Sequence, residues 1–333
     1  MGYRAMNKHT LWNTIGARLD TYLPKWKEDP ELIAVVAAIE EREAGRAWND
    51  DEVFEGLLKA VLSGNTDWTK IKRVLPELPD LFCGFSLESY AALSSTEIRN
   101  RFVPWFKERK AGSKTLKTGL TNLIDAAKKL AEHSRIHGTA ESYFTSLMHR
   151  SNDDPKQVVL KLGRPGSEYK LPSLGVPLAA QVLKNLGFDV AKPDRHILRA
   201  VGSFGLVHFD CWPDRNKKNP PDPRNSESLK AMTAVEDIAV SAGKYVGFVD
   251  SAIWLLCSRS GLSLTNDELV KIAREAETAR DRADGLAALI QSWTEGHDAD
   301  EQRETIEYLI HALDEDRLSD RKLFPKRLKG KSW

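Results

Sequence analysis

Apolar residues recur at helical spacing along nearly the whole chain, and no segment alternates apolar and polar residues as a half-buried strand does. Breaks that contain glycine or proline separate the apolar runs. The predicted helices cover residues 29–44, 54–63, 68–75, 87–92, 95–102, 118–132, 140–149, 151–162, 229–243 and 245–259, with highly charged helices at 268–289 and 300–314. The pattern therefore predicts an all-α fold.

Composition adds limits to this picture. The 333 residues are 41% hydrophobic and 29% charged, with a net charge of +1, so bulk charge does not indicate a nucleic-acid partner. Cys83, Cys211 and Cys257 lie far apart, which excludes a disulfide framework and a Cys₄ iron–sulfur cluster and favours a reducing cytoplasm. No signal segment and no apolar run of about 18 residues is present, so we expect a cytoplasmic protein that does not bind membranes.

The most informative segment is residues 171–206, LPSLGVPLAAQVLKNLGFDVAKPDRHILRAVGSFGL. It predicts a tight Gly/Pro hairpin, an apolar helix, a short loop and a lone aspartate, Asp194, that opens a second helix. Backbone amides between Gly175 and Leu178 would point outward at the start of the first helix, where they form an anion site suited to phosphate. Asp194 is a good helix cap, and a carboxylate beside such a site can also act on the sugar attached to that phosphate.

This segment resembles the helix-hairpin-helix (HhH-GPD) DNA glycosylases, whose hairpin reads L-P-G-V-G-x-K and is followed by an aspartate just beyond the next helix. Residues 54–75, FEGLLKAVLSGNTDWTKIKRVL, are similar to that family's F-E-x-L…L-S-x-x-T-x-W segment, and residues 98–116 match a third segment more loosely. Residues 163–168 are inserted before the hairpin, and Ser173 replaces its usual first glycine. Residues 1–50 and 265–333 match no part of the family.

The resemblance implies a two-lobed all-α fold with the active-site cleft between the lobes. Residues 1–53 and 188–264 would form the lobe with the catalytic aspartate, 54–187 the lobe that ends in the helix-hairpin-helix, and 265–333 a charged helical extension. Asp194 is the implied catalytic residue. The implied DNA contacts are Asn65, Leu174, Gly175, Val176, Pro177, Leu178 and Arg195. Asn65 would fill the gap left by a flipped base, although Gly64-Asn65 also suits a plain turn between helices.

Pro177 stands where family members that nick DNA carry a nucleophilic lysine, and proline offers no amine. The resemblance therefore implies a monofunctional glycosylase without an iron–sulfur cluster, which leaves an abasic site. It implies no cofactor or metal, with room for a monovalent cation at the hairpin. The expected partner of this monomer is double-stranded DNA that contains a damaged or modified base.

The sequence leaves the substrate open. Alkylated purines are the default for a cluster-free member, and a hypermodified phage base such as glucosylated hydroxymethylcytosine, removed in antiviral defence, is an alternative. A non-catalytic DNA- or partner-binding HhH protein is the competing class, and an RNA-binding helical protein is a weaker one. Asp194 favours the enzyme, because a binding module needs no carboxylate there. The cations Lys107, Arg109, Lys110 and Lys114 are expected to form a solvated basic face.

Overall fold

The computed structural model describes residues 6–64, 66–210 and 224–295, together with 304, 307 and 308. Its helices are α1 (Lys8–Tyr22), α2 (Pro30–Glu43), α3 (Asp50–Ser63), α4 (Trp68–Lys72), α5 (Leu78–Leu81), α6 (Leu87–Ala91), α7 (Ser95–Glu97), α8 (Val103–Glu108), α9 (Leu116–His137), α10 (Glu141–His149), α11 (Pro155–Gly163), α12 (Val176–Asn185), α13 (Arg195–Ser203), α14 (Asn225–Ala242), α15 (Val246–Cys257) and α16 (Asn266–Glu295). These residues contain no strand, so the all-α prediction is confirmed.

The chain divides into two compact units, Met1–Glu277 and Thr278–Trp333. The first unit holds one continuous apolar core in its described residues. Helix α3 lies deep within that core: it packs against α9 and α12, and Phe54, Leu57 and Leu58 are fully buried. The division of this unit into two lobes stays a prediction. The second unit is described through the last turns of α16, Thr278–Glu295.

The predicted helix positions are largely confirmed, and several ends differ for local reasons. Helix α11 begins at Pro155, not near 151, because Asn152 and Asp153 have positive φ angles and Asp154 caps the helix by accepting from the Lys156 amide. The predicted helix over 95–102 splits, and residues Ile98–Phe102 form a π-helical turn. Helix α14 begins at Asn225, four residues before the start predicted from the sequence at 229.

The predicted C-terminal extension begins at residue 265, and the first compact unit ends further along α16, at Glu277. The domain division stays a prediction. Leu269, Ile272 and Ala276 on this part of α16 are buried. The composition shift at 265 therefore marks a charged outer face of a helix whose apolar face still belongs to the core. Apart from 304, 307 and 308, the residues of the helix predicted over 300–314 lie outside the described residues, as does the rest of the chain to residue 333.

No single described helix is long and apolar enough to cross a membrane. Helices α14 and α15, joined at a bend of 110°, meet the requirement only as a pair and only by length and composition. Within the described part of the chain, no group of His, Cys, Asp or Glu side chains could hold a metal ion.

Candidate functional site

The hairpin between α11 and α12 is a tight turn anchored in the core. The Leu174 amide donates to the Leu171 carbonyl across 3.2 Å, and both leucine side chains are buried. Pro172 and Ser173 occupy the two central positions, and Ser173 has a φ of +73°. Proline followed by a left-handed residue is the signature of a type II turn. Ser173 thus adopts the backbone conformation for which glycine is usually required, and the departure from the family pattern leaves the turn intact.

Two close approaches hold the hairpin in place. The Ser173 hydroxyl donates to the Gly119 carbonyl at the start of α9 across 2.9 Å. Gly163, the last residue of α11, lies so close to α12 that a Cβ on it would sit 2.6 Å from the Val176 amide nitrogen. Only glycine fits there, because the neighbouring atoms are backbone and cannot rotate away.

The hairpin presents free amides at an exposed helix start. Gly175 is the N-terminal cap of α12, has no side chain to cap the helix, and is exposed. The amides of Gly175, Val176 and Leu178 have no hydrogen-bond acceptor among the described residues, and Pro177 has no N–H. Free amides at the positive end of a helix dipole attract anions. The predicted phosphate site therefore has the backbone it needs.

Asp194 caps helix α13 through one carboxylate oxygen and leaves the other oxygen without a hydrogen bond to a described residue. Its Oδ1 accepts hydrogen bonds from the amides of His196 and Ile197, at 2.8 and 3.3 Å. Its Oδ2 faces the Lys192 ammonium, whose Nζ lies 3.9 Å away. The Asp194 side chain is 18% exposed, so it is sheltered but reachable from solvent. Both predicted roles, cap and reactive carboxylate, are compatible with this geometry.

A buried cluster of charges holds the loop that carries Asp194. Lys184 on α12 forms a buried ion pair with Asp250 on α15. The other Asp250 oxygen accepts the backbone amide of Lys192 across 2.9 Å. Burial lowers the pKa of the Lys192 ammonium, while the Asp194 carboxylate opposes that shift. Asp250 thus connects α12, the second helix of the hairpin, to the segment beside Asp194. Replacing Asp250 with a neutral residue would leave the buried Lys184 ammonium without a partner.

The side chains around Asp194 include an imidazole, an indole and a thiol. Burial lowers the pKa of His196, which keeps the ring neutral at pH 7, and its Nδ1 is buried without a hydrogen-bond partner. The His196 ring meets Trp254 edge-on with centroids 6.3 Å apart. Burial raises the pKa of the Cys257 thiol to about 12, so this group stays protonated and is a poor nucleophile at neutral pH.

The predicted DNA-contact residues differ in what each can present to a ligand. Val176, Pro177 and Leu178 form the first turn of α12, and Arg195 is exposed beside Asp194 with no ion pair to a described residue. The Leu174 side chain is 1% exposed, so only its backbone can face a ligand. Asn65 lies outside the described residues, but Gly64 is in contact with Leu178, since a Cβ on Gly64 would lie 3.4 Å from Leu178 Cδ1. The break after α3 therefore adjoins the hairpin helix.

The supporting charges, Lys184 and Asp250, are not among the residues predicted from the sequence. Each carried a signal that could have revealed it: Asp250 is the one carboxylate in the apolar helix VGFVDSAIWLLC, and Lys184 lies on the buried side of an apolar helix. Charged residues are almost never fully buried unless they are paired. Two such residues of opposite sign therefore predict a buried pair, but not which loop it supports.

No protein-family profile matches this chain, and no curated protein matches it. A crystal structure of the Methanocaldococcus jannaschii 8-oxoguanine DNA glycosylase is similar at 16% identity, with a TM-score of 0.49, over 76% of this chain and 97% of that one. A structure of the same organism's 8-oxoguanine glycosylase/lyase with a 15mer DNA containing 8-oxoguanine is similar at 18% identity, with a TM-score of 0.46, over 73% and 97%.

Proposed function

We propose that this chain is a DNA glycosylase that flips a modified base out of duplex DNA and hydrolyses its N-glycosidic bond. One observation carries the proposal. Asp194 has a carboxylate oxygen, Oδ2, that accepts no hydrogen bond from a described residue and lies 3.9 Å from the Lys192 ammonium, and Asp250 joins the Asp194 loop to α12, the helix whose start presents free amides. Phosphate binding at the amides would bring the attached sugar toward that carboxylate.

The chemistry follows from the charge that develops. As the C1′–N bond breaks, its electron pair leaves with the base and the sugar becomes an oxocarbenium ion. The free oxygen of Asp194 stabilises that positive charge, and a water molecule then adds to C1′. The water's surplus proton passes to Asp194 or to solvent. A base that departs as an anion takes up a proton from solvent, whereas a base made cationic by alkylation departs neutral. The product is an abasic site, and these steps require no cofactor.

Within this proposal the enzyme is monofunctional. A lyase step needs an amine that attacks C1′, and the resemblance to the HhH-GPD family aligns Pro177 with that family's nucleophilic lysine, where proline offers no amine. We expect product strands to remain intact until they are treated with alkali or heat. Borohydride reduction in the presence of DNA tests this directly, because it traps a protein–DNA imine. A trapped adduct would contradict the monofunctional proposal and would make Lys192, the buried amine beside Asp194, the group to replace.

Within this proposal, alkylated purines are the expected substrate class. Purified protein should be incubated with duplexes that carry alkylated purines, oxidised guanine, mismatches, or glucosylated hydroxymethylcytosine, and released bases identified by mass spectrometry. Release from one class identifies the substrate, and release of the phage base would support antiviral defence in place of repair. If no duplex loses a base while the protein still binds DNA, the chain is a non-catalytic binding protein.

A further inference from the structure

A concave surface beside the hairpin contains five lysines that form no ion pair or hydrogen bond with a described residue. This lysine groove has a volume of about 960 Å³ and is lined by residues of α4, α8, the loop that follows α8, and the start of α9. Its cations are Lys70, Lys107, Lys110, Lys114 and Lys117. All five side chains are exposed, and none makes an ion pair or a hydrogen bond with a described residue.

This concentration of charge is local. The whole chain carries 49 lysines and arginines against 48 acidic residues. Elsewhere many lysines are paired, as in Lys8–Asp237, Lys72–Glu31 and Lys156–Glu236. The one acidic residue that lines the groove, Asp67, accepts hydrogen bonds from the amide and hydroxyl of Thr69, and of the five lysines it interacts electrostatically with Lys70. One carboxylate therefore faces five cations. Uncompensated like charges repel one another, so the groove is poised to bind an anion.

The groove adjoins the hairpin on two sides. Thr66 on its wall donates its hydroxyl to the Gly64 carbonyl across 3.0 Å, and a Cβ on Gly64 would lie 3.4 Å from Leu178 of the hairpin helix. On the other side, the Gly119 carbonyl, two residues beyond Lys117 of the groove, accepts the hydroxyl of Ser173 in the hairpin turn. The five lysines are therefore close neighbours of the hairpin.

The nature of these cations points to an extended polyanion. Small anionic ligands are bound by fixed, preorganised groups, whereas these exposed lysines are flexible point charges with no partner that orients them. Flexible cations spread along a groove match a regular row of phosphates, where each contact releases counterions and none reads sequence.

We propose that the lysine groove is a second DNA-binding surface, which takes the phosphate backbone next to the nucleotide held at the hairpin. This inference rests on the proposed function for the identity of the polyanion. It assigns DNA-binding roles to Lys70 and Lys117, which are not candidates from the sequence. It assigns the same role to Lys107, Lys110 and Lys114, which the sequence predicts to form a solvated face. Arg109 takes no part, because it pairs with Glu77 at 2.9 Å and stacks over Trp105.

The test compares two triple variants that remove the same charge. The groove variant is Lys107→Gln, Lys110→Gln and Lys114→Gln. The matched control is Lys230→Gln, Lys244→Gln and Lys271→Gln, three exposed lysines without ion pairs in the described structure, on segments that do not line the groove. Affinity for a fluorescein-labelled unmodified duplex is measured across a salt series. We expect the slope of log K against log salt to fall by about 0.9 for each groove lysine removed, and to stay unchanged in the control.

A second measurement needs no variant. Lysines of the full chain are acetylated with and without bound duplex, and mass spectrometry locates the modified sites. The five groove lysines should be protected by DNA, while Lys230, Lys244 and Lys271 should not. Equal slopes in the two triple variants, or equal labelling at the two sets of lysines, would overturn the inference. So would a groove variant that loses affinity for heparin but not for duplex DNA, since the groove would then serve another polyanion.

Failure of this inference is distinguishable from failure of the proposed enzyme. If the protein releases base but the groove variant has the same salt slope as the wild type, the glycosylase proposal is retained and the groove is not a DNA contact. If the salt slope is reduced in the groove variant but the wild-type protein releases no base from any modified duplex, the groove is a DNA-binding surface and the glycosylase proposal is rejected.

Discussion

At the scale of single residues, the two oxygens of Asp194 make its two roles separable. The Asp194→Asn variant keeps a side-chain oxygen for the amides of His196 and Ile197, and asparagine caps helices about as well as aspartate. It loses the negative charge that faces the sugar. We expect the melting temperature and DNA affinity to be retained, and single-turnover base release to fall by about a thousandfold or more.

Asp29→Asn is the matched control for that experiment. Asp29 caps α2 through the amides of Glu31 and Leu32 at 2.9 and 3.4 Å, the same pattern as at Asp194, on a helix outside the candidate site. It should leave base release unchanged. A release rate for Asp194→Asn within a few-fold of the wild-type rate would show that another group provides the charge.

Lys192 predicts an alkaline limb in the pH dependence of base release. The charged groups that act on it are Asp194, Lys184, Asp250 and Arg195. Burial lowers the pKa of its ammonium, so the charge that faces Asp194 Oδ2 is lost at a lower pH than for an ordinary lysine. If that cation positions the free carboxylate oxygen, single-turnover release falls as the pH rises through the lowered pKa.

Two substitutions test this role. Lys192→Met should slow release on the order of tenfold or more and remove the alkaline limb, with duplex affinity little changed. Lys192→Arg keeps a cation whose pKa is far higher, so it should restore the rate and move the limb to higher pH. Identical pH profiles for the wild-type and Lys192→Arg proteins would show that a different group causes the alkaline limb. Lys192 would then have only a structural role.

At the scale of elements, the hairpin allows binding to be separated from folding. A Cβ at Gly175 would contact only Pro177 Cδ at 3.9 Å, and the φ of −87° suits any residue. In Gly175→Asp the new carboxylate can cap α12, which now lacks a side-chain cap, so stability should be equal or higher by a few tenths of a kcal/mol. The same carboxylate repels a phosphate, so duplex affinity and base release should both fall.

Gly175→Asn is the neutral counterpart of that variant. Asparagine caps equally well and brings no charge, so it should retain most of the affinity measured by fluorescence anisotropy. If Gly175→Asp binds duplex DNA as tightly as Gly175→Asn, the hairpin amides do not hold a phosphate.

The contact between α11 and α12 gives a prediction about stability. In Gly163→Ala the added methyl group would meet backbone atoms of Val176 at 2.6 Å, and the hairpin would have to shift. We expect a loss of about 1–3 kcal/mol in the free energy of unfolding, measured in urea. Gly16→Ala on α1 is the control, because no atom lies within 4 Å of its Cβ and alanine favours a helix by about 0.5–1 kcal/mol. Equal effects of the two changes would contradict the close packing.

Local chemistry explains what the sequence could predict and what it could not. The hairpin and Asp194 were predictable, since turn residues, apolar spacing and capping act within about a dozen positions. The lysine groove was not, because Lys70 on α4 and Lys117 on α9 are distant in sequence and come to one groove only because both helices pack against α3. Each lysine taken alone has the pattern of an ordinary solvated side chain. Burial of Lys184 against Asp250 depends on the same long-range packing.

At the scale of the whole molecule, the boundary of the first unit can be tested by truncation. A chain that ends at Leu264, the boundary expected from composition, loses the buried side chains of Leu269 and Ile272, each of which contributes about 1.5–3 kcal/mol. It also removes Asn266, whose Oδ1 accepts from the buried guanidinium of Arg199 across 2.9 Å. A chain that ends at Glu277 keeps all three residues. We therefore expect the shorter chain to fail to fold cooperatively and the longer one to melt as a single unit.

The two truncations also decide where the chemistry resides. Residues 1–277 contain Asp194, the hairpin and the lysine groove, so this chain should release base under single-turnover conditions at nearly the rate of the full protein. Circular dichroism melting curves and the release assay, run on the same samples, separate folding from activity. If the chain that ends at Leu264 melts like the one that ends at Glu277, the start of α16 is dispensable and the boundary predicted from composition is the better one. If residues 1–277 fold but release no base, then residues 278–333 contribute to the active site, and the charged extension is part of the catalytic protein.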